Sequence, residues 1–174
     1  MYFRQLTPFT GEYVTLNEVK EHCRDDNTML QTYLDAATEA VIKYTGRHIL
    51  SAQYEYGVDD PDGDIILPGR PLLKVDEVKL SGAVITNYNV VPDDRAPYIW
   101  TEDNWRASGK NALVVKYTLG FENTAMIPAS FKEAILLMVE HWNSNRVPVI
   151  VGAAANQIPM SAKMLLDLKR GAFA

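Results

Sequence analysis

A long helix in the last third of the chain constrains the fold more than any other sequence feature. Pro128 stands where a helix tolerates proline, in the first turn, because the amide that it lacks would have no intrahelical partner there. Strong helix formers follow, and the pattern ends at residues 143–146, before Val147-Pro148. The sequence therefore predicts a helix over residues 128–146, roughly 28 Å long.

The apolar residues of this central helix cover more than one face. One face repeats at helical spacing and consists of Phe131, Ala134, Ile135, Met138 and Trp142. Leu136, Leu137 and Val139 fall outside that face. A helix that is apolar nearly all round must be covered nearly all round, either by a single core or by another subunit as well. We predict that the helix serves both, with Leu136, Leu137 and Val139 at a subunit interface.

Two shorter helices are predicted before it. Residues 1–14 are expected to form an irregular aromatic arm, after which Thr15 and Glu18 make a capping box at a helix start. That helix is expected to end at about residue 24. A second helix has apolar residues at helical spacing and ends at Gly46, which lies just past its last turn. Its apolar positions are Leu30, Tyr33, Leu34, Ala37, Val41 and Tyr44.

From residue 50 the apolar period changes to two, which predicts an antiparallel β insertion at about residues 50–120. After the central helix come a loop rich in Pro and Ala and a short last helix capped by Ser161. The expected fold class is α+β: a mainly helical protomer with two N-terminal helices, a long central helix and a short C-terminal helix around the β insertion. The expected organisation is an arm at 1–14, a domain at 15–147, and a flexible loop with a C-terminal helical arm at 148–174.

Composition excludes several classes of function. The net charge is −5 without a basic block, which argues against gripping nucleic acid through its phosphates. No apolar run reaches the roughly 18 residues of a membrane span. The lone Cys23 has no disulfide partner in the chain and lies at an apolar helix position, as a small buried hydrophobe would.

No residue pattern indicates catalysis, a metal site or a cofactor. The three histidines, His22, His48 and His141, stand on different predicted elements without metal-ligand spacing. The aspartates of residues 59–64 lack the order of a calcium loop and are interpreted as a solvated turn. The many aromatic residues of the β insertion fit ordinary strand propensity. They also leave open an alternative function, a non-catalytic peptide- or sugar-binding module.

Six segments, taken together and in order, resemble a known family. They are residues 14–20 (VTLNEVK), 34–41 (LDAATEAV), 44–47 (YTGR), 67–72 (LPGRPL), 114–121 (VVKYTLGF) and 127–146. In this order and at these separations the chain resembles the head–tail connector proteins, also called adaptor or head-completion proteins, of long-tailed bacteriophages. The resemblance covers about residues 14–147. The family's tryptophan in the strand after the 44–47 segment is replaced here by Gln53 or Tyr54.

The resemblance implies a structural protein of the virion head–tail junction, made in the host cytoplasm. Such proteins form a closed ring of about twelve copies below the portal, which extends the DNA channel and docks the next head-completion or tail protein. An acidic channel wall would let DNA pass without specific binding. We expect the C-terminal arm to contact the portal through an apolar stripe, two terminal cations and an aromatic anchor. These residues are Met164, Leu165, Leu168, Lys169, Arg170 and Phe173.

Overall fold

The computed structural model describes residues 1–9, 11–145 and 158–169. The chain divides into two compact units, each built from two separate stretches of sequence. The β unit comprises Met1–Gly11 and Arg47–Met126, and the helical unit comprises Glu12–Gly46 and Ile127–Ala174. Every strand among the described residues lies in the β unit, and every α-helix lies in the helical unit. The predicted flexible loop after the central helix falls largely outside the described residues.

The described residues of the β unit form eight strands in two antiparallel sheets. They are β1 Tyr2–Gln5, β2 Ala52–Val58, β3 Ile65–Ile66, β4 Leu72–Leu80, β5 Ala83–Ile85, β6 Asn89–Val91, β7 Tyr98–Trp100 and β8 Leu113–Leu119. The larger sheet has the order β1-β2-β8-β4-β5, and the smaller one has the order β3-β7-β6. A short 3-10 helix, Thr124–Met126, follows β8 and ends the unit.

The core of the β unit follows from alternation along its strands. In β8 every second side chain is buried, so one face of the strand supplies Leu113, Val115, Tyr117 and Leu119 to the core. Trp105, which comes from the loop between β7 and β8, is also fully buried. Its indole nitrogen donates a hydrogen bond to the carbonyl oxygen of Gly63 at 2.7 Å, which satisfies the one polar atom of the side chain.

Four α-helices lie among the described residues of the helical unit: α1 Leu16–Cys23, α2 Leu30–Thr45, α3 Ala129–Ser144 and α4 Met160–Asp167. The predicted capping box is confirmed, because the Thr15 hydroxyl accepts from the Glu18 amide and the Glu18 carboxylate accepts from the Thr15 amide. Gly46 ends α2 in the left-handed conformation, at φ 65°, as predicted for this position. The central helix is α3, which begins directly after Pro128.

The α+β class and the four helices are confirmed, but the protomer is not mainly helical. The β unit takes all of residues 1–11 and 47–126, so strands and their loops form about half of the chain. Part of this difference comes from the N-terminal arm, which was predicted to be irregular. Tyr2–Gln5 instead forms β1, because residues with strand propensity find an open edge on β2.

A buried amide network joins the α1–α2 connection to the end of α3. Asn143 is almost fully buried. Its carboxamide nitrogen donates to the Asp25 carboxylate at 2.8 Å, and its oxygen accepts from the Asn27 side chain at 2.9 Å. A buried polar group of this kind is satisfied only while all its partners stay in place.

Replacing Asn143 with alanine is therefore expected to lower the free energy of unfolding by about 2 kcal/mol, because Asp25 and Asn27 lose a buried partner. Chemical denaturation measures this change. The matched control is Asn145→Ala, because Asn145 is exposed and its side chain bonds only to the neighbouring His141 among the contacts described. Equal effects of the two substitutions would show that the network does not stabilise the unit.

Candidate assembly surfaces

Helix α4 packs on its own unit through one face. Ala162 and Leu166 lie one turn apart on that face, and both are fully buried, mainly against α3. At the end of the helix, the Tyr44 hydroxyl on α2 donates a hydrogen bond to the Asp167 carboxylate. The Lys163 ammonium lies 2.9 Å from the same carboxylate. In the single chain, α4 is thus held by two buried side chains and a polar contact to α2.

The opposite face of α4 is an exposed apolar stripe formed by Met160, Met164 and Leu168. These residues are spaced four apart and keep 76%, 67% and 77% of their surface exposed, respectively. Met164 and Leu168 were among the predicted portal contacts, whereas Met160 was missed because Pro159 and Ser161 drew the predicted helix start past it. The stripe is amphipathic helix surface without a partner in the described chain, which is typical of a docking surface.

The other four residues predicted to contact the portal differ in their exposure or lie outside the described residues. Leu165 is half-buried and Lys169 is exposed. Arg170 and Phe173 lie outside the described residues. The portal contact itself remains a prediction for all six residues.

Of the three residues predicted at a subunit interface on α3, one keeps exposed surface in the single chain. Leu136 and Val139 are buried by other parts of their own unit, so neither offers surface to a second subunit. Leu137 keeps part of its surface exposed. Because α1, α2 and α4 all pack against α3, they cover apolar residues beyond its main apolar face. Leu137 is the member of the predicted set that remains available for a neighbour.

A third surface lies at the edge of the larger sheet, where β1 pairs with β2. The register runs antiparallel from Tyr2 opposite Gly57 to Gln5 opposite Tyr54. Glu55 of β2 has only 6% of its surface exposed, and its carboxylate accepts hydrogen bonds from the Tyr2 hydroxyl at 2.7 Å and the Arg4 guanidinium at 2.6 Å. The Phe3 ring stacks on Tyr54, with ring centroids 5.2 Å apart.

The electrostatics of this edge keep Glu55 ionised. Burial pushes the pKa of Glu55 up, but hydrogen bonds from Tyr2 and Arg4, with the charges of Arg4 and Lys116, outweigh it and leave the pKa below its usual value. A carboxyl with a depressed folded-state pKa stabilises the fold above its unfolded pKa and loses that contribution as pH falls through the folded value. The contact between β1 and β2 therefore weakens in acid.

Two arginines from the segments that carry the family resemblance have a structural part in the β unit. The two terminal guanidinium nitrogens of Arg47, Nη1 and Nη2, each donate a hydrogen bond of 2.6 Å to one oxygen of the Asp94 carboxylate. Arg70 is buried and donates to the carbonyl oxygen of Arg95 at 3.1 Å. Together they fasten the β6–β7 loop to the connections that precede β2 and β4.

A shallow cleft of about 360 Å³ in the helical unit is lined by Tyr44, Trp142, Ile158 and two alanines of α2. Its charged residues, Glu39 and Lys43, pair with each other at 2.8 Å.

The histidines and aspartates that the sequence analysis considered as possible metal ligands contact different partners. His22 lies 3.2 Å from Glu140, and His48 lies 2.9 Å from the Tyr54 hydroxyl. Asp59 and Asp60 accept hydrogen bonds from backbone amides. Within the part of the chain that the structure describes, no group of three or more His, Cys, Asp or Glu residues is placed to hold a metal ion. No helix there is long and apolar enough to cross a membrane.

Comparison with known proteins gives a clear answer for the fold alone. No protein-family model and no curated protein matches this sequence. Solved structures do match: a chain in the neck of an empty gene transfer agent (GTA) particle, computed with sixfold symmetry, has a TM-score of 0.79 and 19% identity. A chain in the neck of the native GTA particle, computed with twelvefold symmetry, has a TM-score of 0.79 and 18% identity. A chain in the virion of the native GTA particle has a TM-score of 0.78 and 18% identity.

These matches extend over whole chains, since each covers 100% of this chain and 97% of the other. This chain therefore shares its fold with chains in GTA necks and virions. The predicted resemblance to head–tail connector proteins is confirmed at the level of the fold.

Proposed function

We propose that this protein is a structural subunit of a head–tail junction, where copies form a ring below the portal of a phage or phage-like particle. The observation that carries the proposal is the full-length fold match to chains in GTA necks and virions, at TM-scores of 0.78–0.79. The sixfold and twelvefold symmetries of those neck structures support a ring. The resemblance of residues 14–147 to connector proteins is an independent argument from the sequence.

The partners follow from this position in the particle. One side of the ring would dock on the portal, through the exposed α4 stripe of Met160, Met164 and Leu168, and the other side would receive the next head-completion or tail protein. The net charge of −5 per chain gives a ring of about twelve copies a charge of roughly −60. Such a ring repels phosphates, so DNA would pass through its channel without specific binding.

A non-catalytic role fits the described side chains, whereas the alternative of a peptide- or sugar-binding module keeps less support. That alternative needs aromatic faces open to a ligand. Tyr54, Tyr56 and Trp105 are buried in the core of the β unit, where their rings contribute to folding. The half-buried aromatic residues, which keep part of their surface for a ligand, are Tyr88, Tyr98 and Trp100.

The proposal is tested by measuring the mass of the complex in solution. The purified chain is run on a sizing column with light scattering, alone and after mixing with the portal protein of the particle that encodes it. A complex with several copies of this chain per portal supports the proposal. A portal that stays free of the chain at micromolar concentrations of both would overturn it.

Replacing Leu137 with lysine is expected to prevent ring formation while leaving the fold intact. Leu137 keeps exposed surface on α3, and burying a lysine in an apolar contact costs more than the roughly 1.5–3 kcal/mol that a buried leucine contributes. Ser144→Lys is the matched control, since Ser144 is exposed on the same helix. Rings of unchanged yield from the Leu137 variant would exclude this position from the interface.

A further inference from the structure

We infer that neighbouring copies in the ring exchange their N-terminal strands, so that β1 of one copy lies on β2 of the next. The inference rests on the proposed function, because it concerns how the ring closes. In the single chain β1 fills the site on its own β2. Exchange would reproduce the same contacts between chains, which is a low-cost route to assembly.

The edge of β2 is built to receive a strand. Glu55 is a buried carboxylate, and both of its described hydrogen-bond donors come from β1. Without a strand in place, this charge would lose its donors, at a cost that buried carboxylates avoid. Gly57 is shaped for the same strand, because a Cβ atom there would lie 2.2 Å from the Tyr2 ring. The site therefore demands an aromatic residue and an arginine two positions later, which residues 2 and 4 supply.

The strand itself is separable from the rest of the chain. Within the described part of the chain β1 pairs with β2 alone, and its residues 3–5 are exposed. The chain continues from Gly11 into the helical unit, and the β unit resumes only at Arg47. The connection contains Pro8 and Gly11, and Gly11 has φ +90° with open space around its Cβ position. Lifting β1 away removes the edge strand of one sheet and uncovers the Tyr54 ring, but it leaves every other strand pair of the β unit in place.

A second copy is the occupant that fits this site best. Every chain carries one donor strand and one acceptor edge at different places, which is the requirement for a head-to-tail contact that closes into a ring. The charges match, since the Arg4 guanidinium contacts the Glu55 carboxylate at 2.6 Å. The exchanged segment also carries exposed apolar side chains, Phe3, Leu6 and Phe9, which gain cover when a neighbouring chain is near.

Charge reversal at this contact distinguishes exchange from self-pairing. Arg4→Glu places a second carboxylate against Glu55, and Glu55→Arg places a second guanidinium against Arg4, so each variant alone is expected to lose rings at least about tenfold. In an equal mixture, an even-numbered ring lets the two variants alternate. Each interface then joins either the two substituted side chains or the two native ones, so that opposite charges meet at every contact. Mixing should restore rings to near wild-type yield, counted by negative-stain microscopy with portal present.

A cysteine pair gives the second readout. In a Cys23→Ser background, Arg4→Cys and Glu55→Cys are combined, because these residues are directly opposite each other in the β1–β2 register. After oxidation of assembled rings, exchange predicts a covalent ladder of chains on a non-reducing gel. A band at the mass of one chain, with no rescue on mixing the charge variants, would overturn the inference and leave the proposed function intact. Wild-type protein that forms no ring with portal would overturn both.

Discussion

Replacing Gly120 with alanine is expected to destabilise the β unit strongly, lowering its free energy of unfolding by about 4 kcal/mol. Gly120 follows β8 at φ +104°, a conformation that strains any residue with a side chain. A Cβ atom there would lie 2.4 Å from the carbonyl oxygen of Leu50 and 2.9 Å from the Cα atom of Ser51. Both are backbone atoms, and the Gly120 amide is fixed by a hydrogen bond to the carbonyl oxygen of Pro71 at 3.0 Å. Neither side of the clash can therefore move aside cheaply.

The matched control is Gly109→Ala, because Gly109 has the same φ of +104° with open space around its Cβ position. The free energy of unfolding that this variant loses is expected to be about 1 kcal/mol, because only the backbone strain contributes. Thermal and urea unfolding of both variants separate the clash from the strain. If Gly120→Ala cost no more than Gly109→Ala, the close approach of the 50–51 and 120 backbones would be refuted.

The double substitution Met164→Lys with Leu168→Lys is expected to abolish attachment to the portal without destabilising the protein. Met164 is 67% exposed and Leu168 is 77% exposed on the outer face of α4, so charges there remain solvated in the single chain. In a contact with the portal the same two ammonium groups would be desolvated without partners. A loss of binding by at least about a hundredfold follows if each lysine costs about 1.4 kcal/mol.

Val84→Lys controls for added charge, since Val84 on β5 is another apolar side chain that is 59% exposed. Truncation before Pro159 is the less selective alternative. It removes the buried Ala162 and Leu166 and so exposes the apolar surface that they cover. Pull-down of portal-bearing heads with each variant, at equal melting temperature, measures the effect. Undiminished attachment of the lysine variant would place the portal contact elsewhere.

The elements that the sequence predicted correctly are those determined by neighbouring residues. The capping box depends on Thr15 and Glu18, which are three residues apart, and the end of α2 depends on Gly46 alone. The main apolar face of α3 depends on spacing within one helix. Phe131, Ala134, Ile135 and Met138 on this face are buried, and Trp142 at its end is half-buried. Local rules of this kind act before any tertiary contact forms.

The features that escaped sequence reasoning depend on contacts between distant segments. Periodicity identifies the faces of α3, but it does not give the number of elements that cover the helix. For this reason Leu136 and Val139, predicted at a subunit interface, are buried within their own unit. The N-terminal strand was likewise missed, because its partner β2 lies about fifty residues away. Sequence patterns inside residues 1–14 do not contain that partner.

The same distinction between local patterns and distant contacts applies to the candidate assembly surfaces. The apolar residues of the α4 stripe were recognised by their helical spacing, apart from Met160 at the helix start. The strand-accepting edge of β2 was not recognised, because Glu55 between Tyr54 and Tyr56 has the pattern of an ordinary exposed strand residue. Only the placement of Tyr2 and Arg4 against it shows that the carboxylate is buried and paired.

Negative-stain imaging of portal-bearing heads mixed with the purified chain tests the proposed function most directly. The proposal predicts that added protein appears as a ring on the portal vertex, coaxial with the channel, with a symmetry compatible with the sixfold or twelvefold necks of the matching particles. Heads without portal serve as the control and should stay bare. Portal vertices that remain bare at saturating protein, or protein bound elsewhere on the heads, would contradict a role at the head–tail junction.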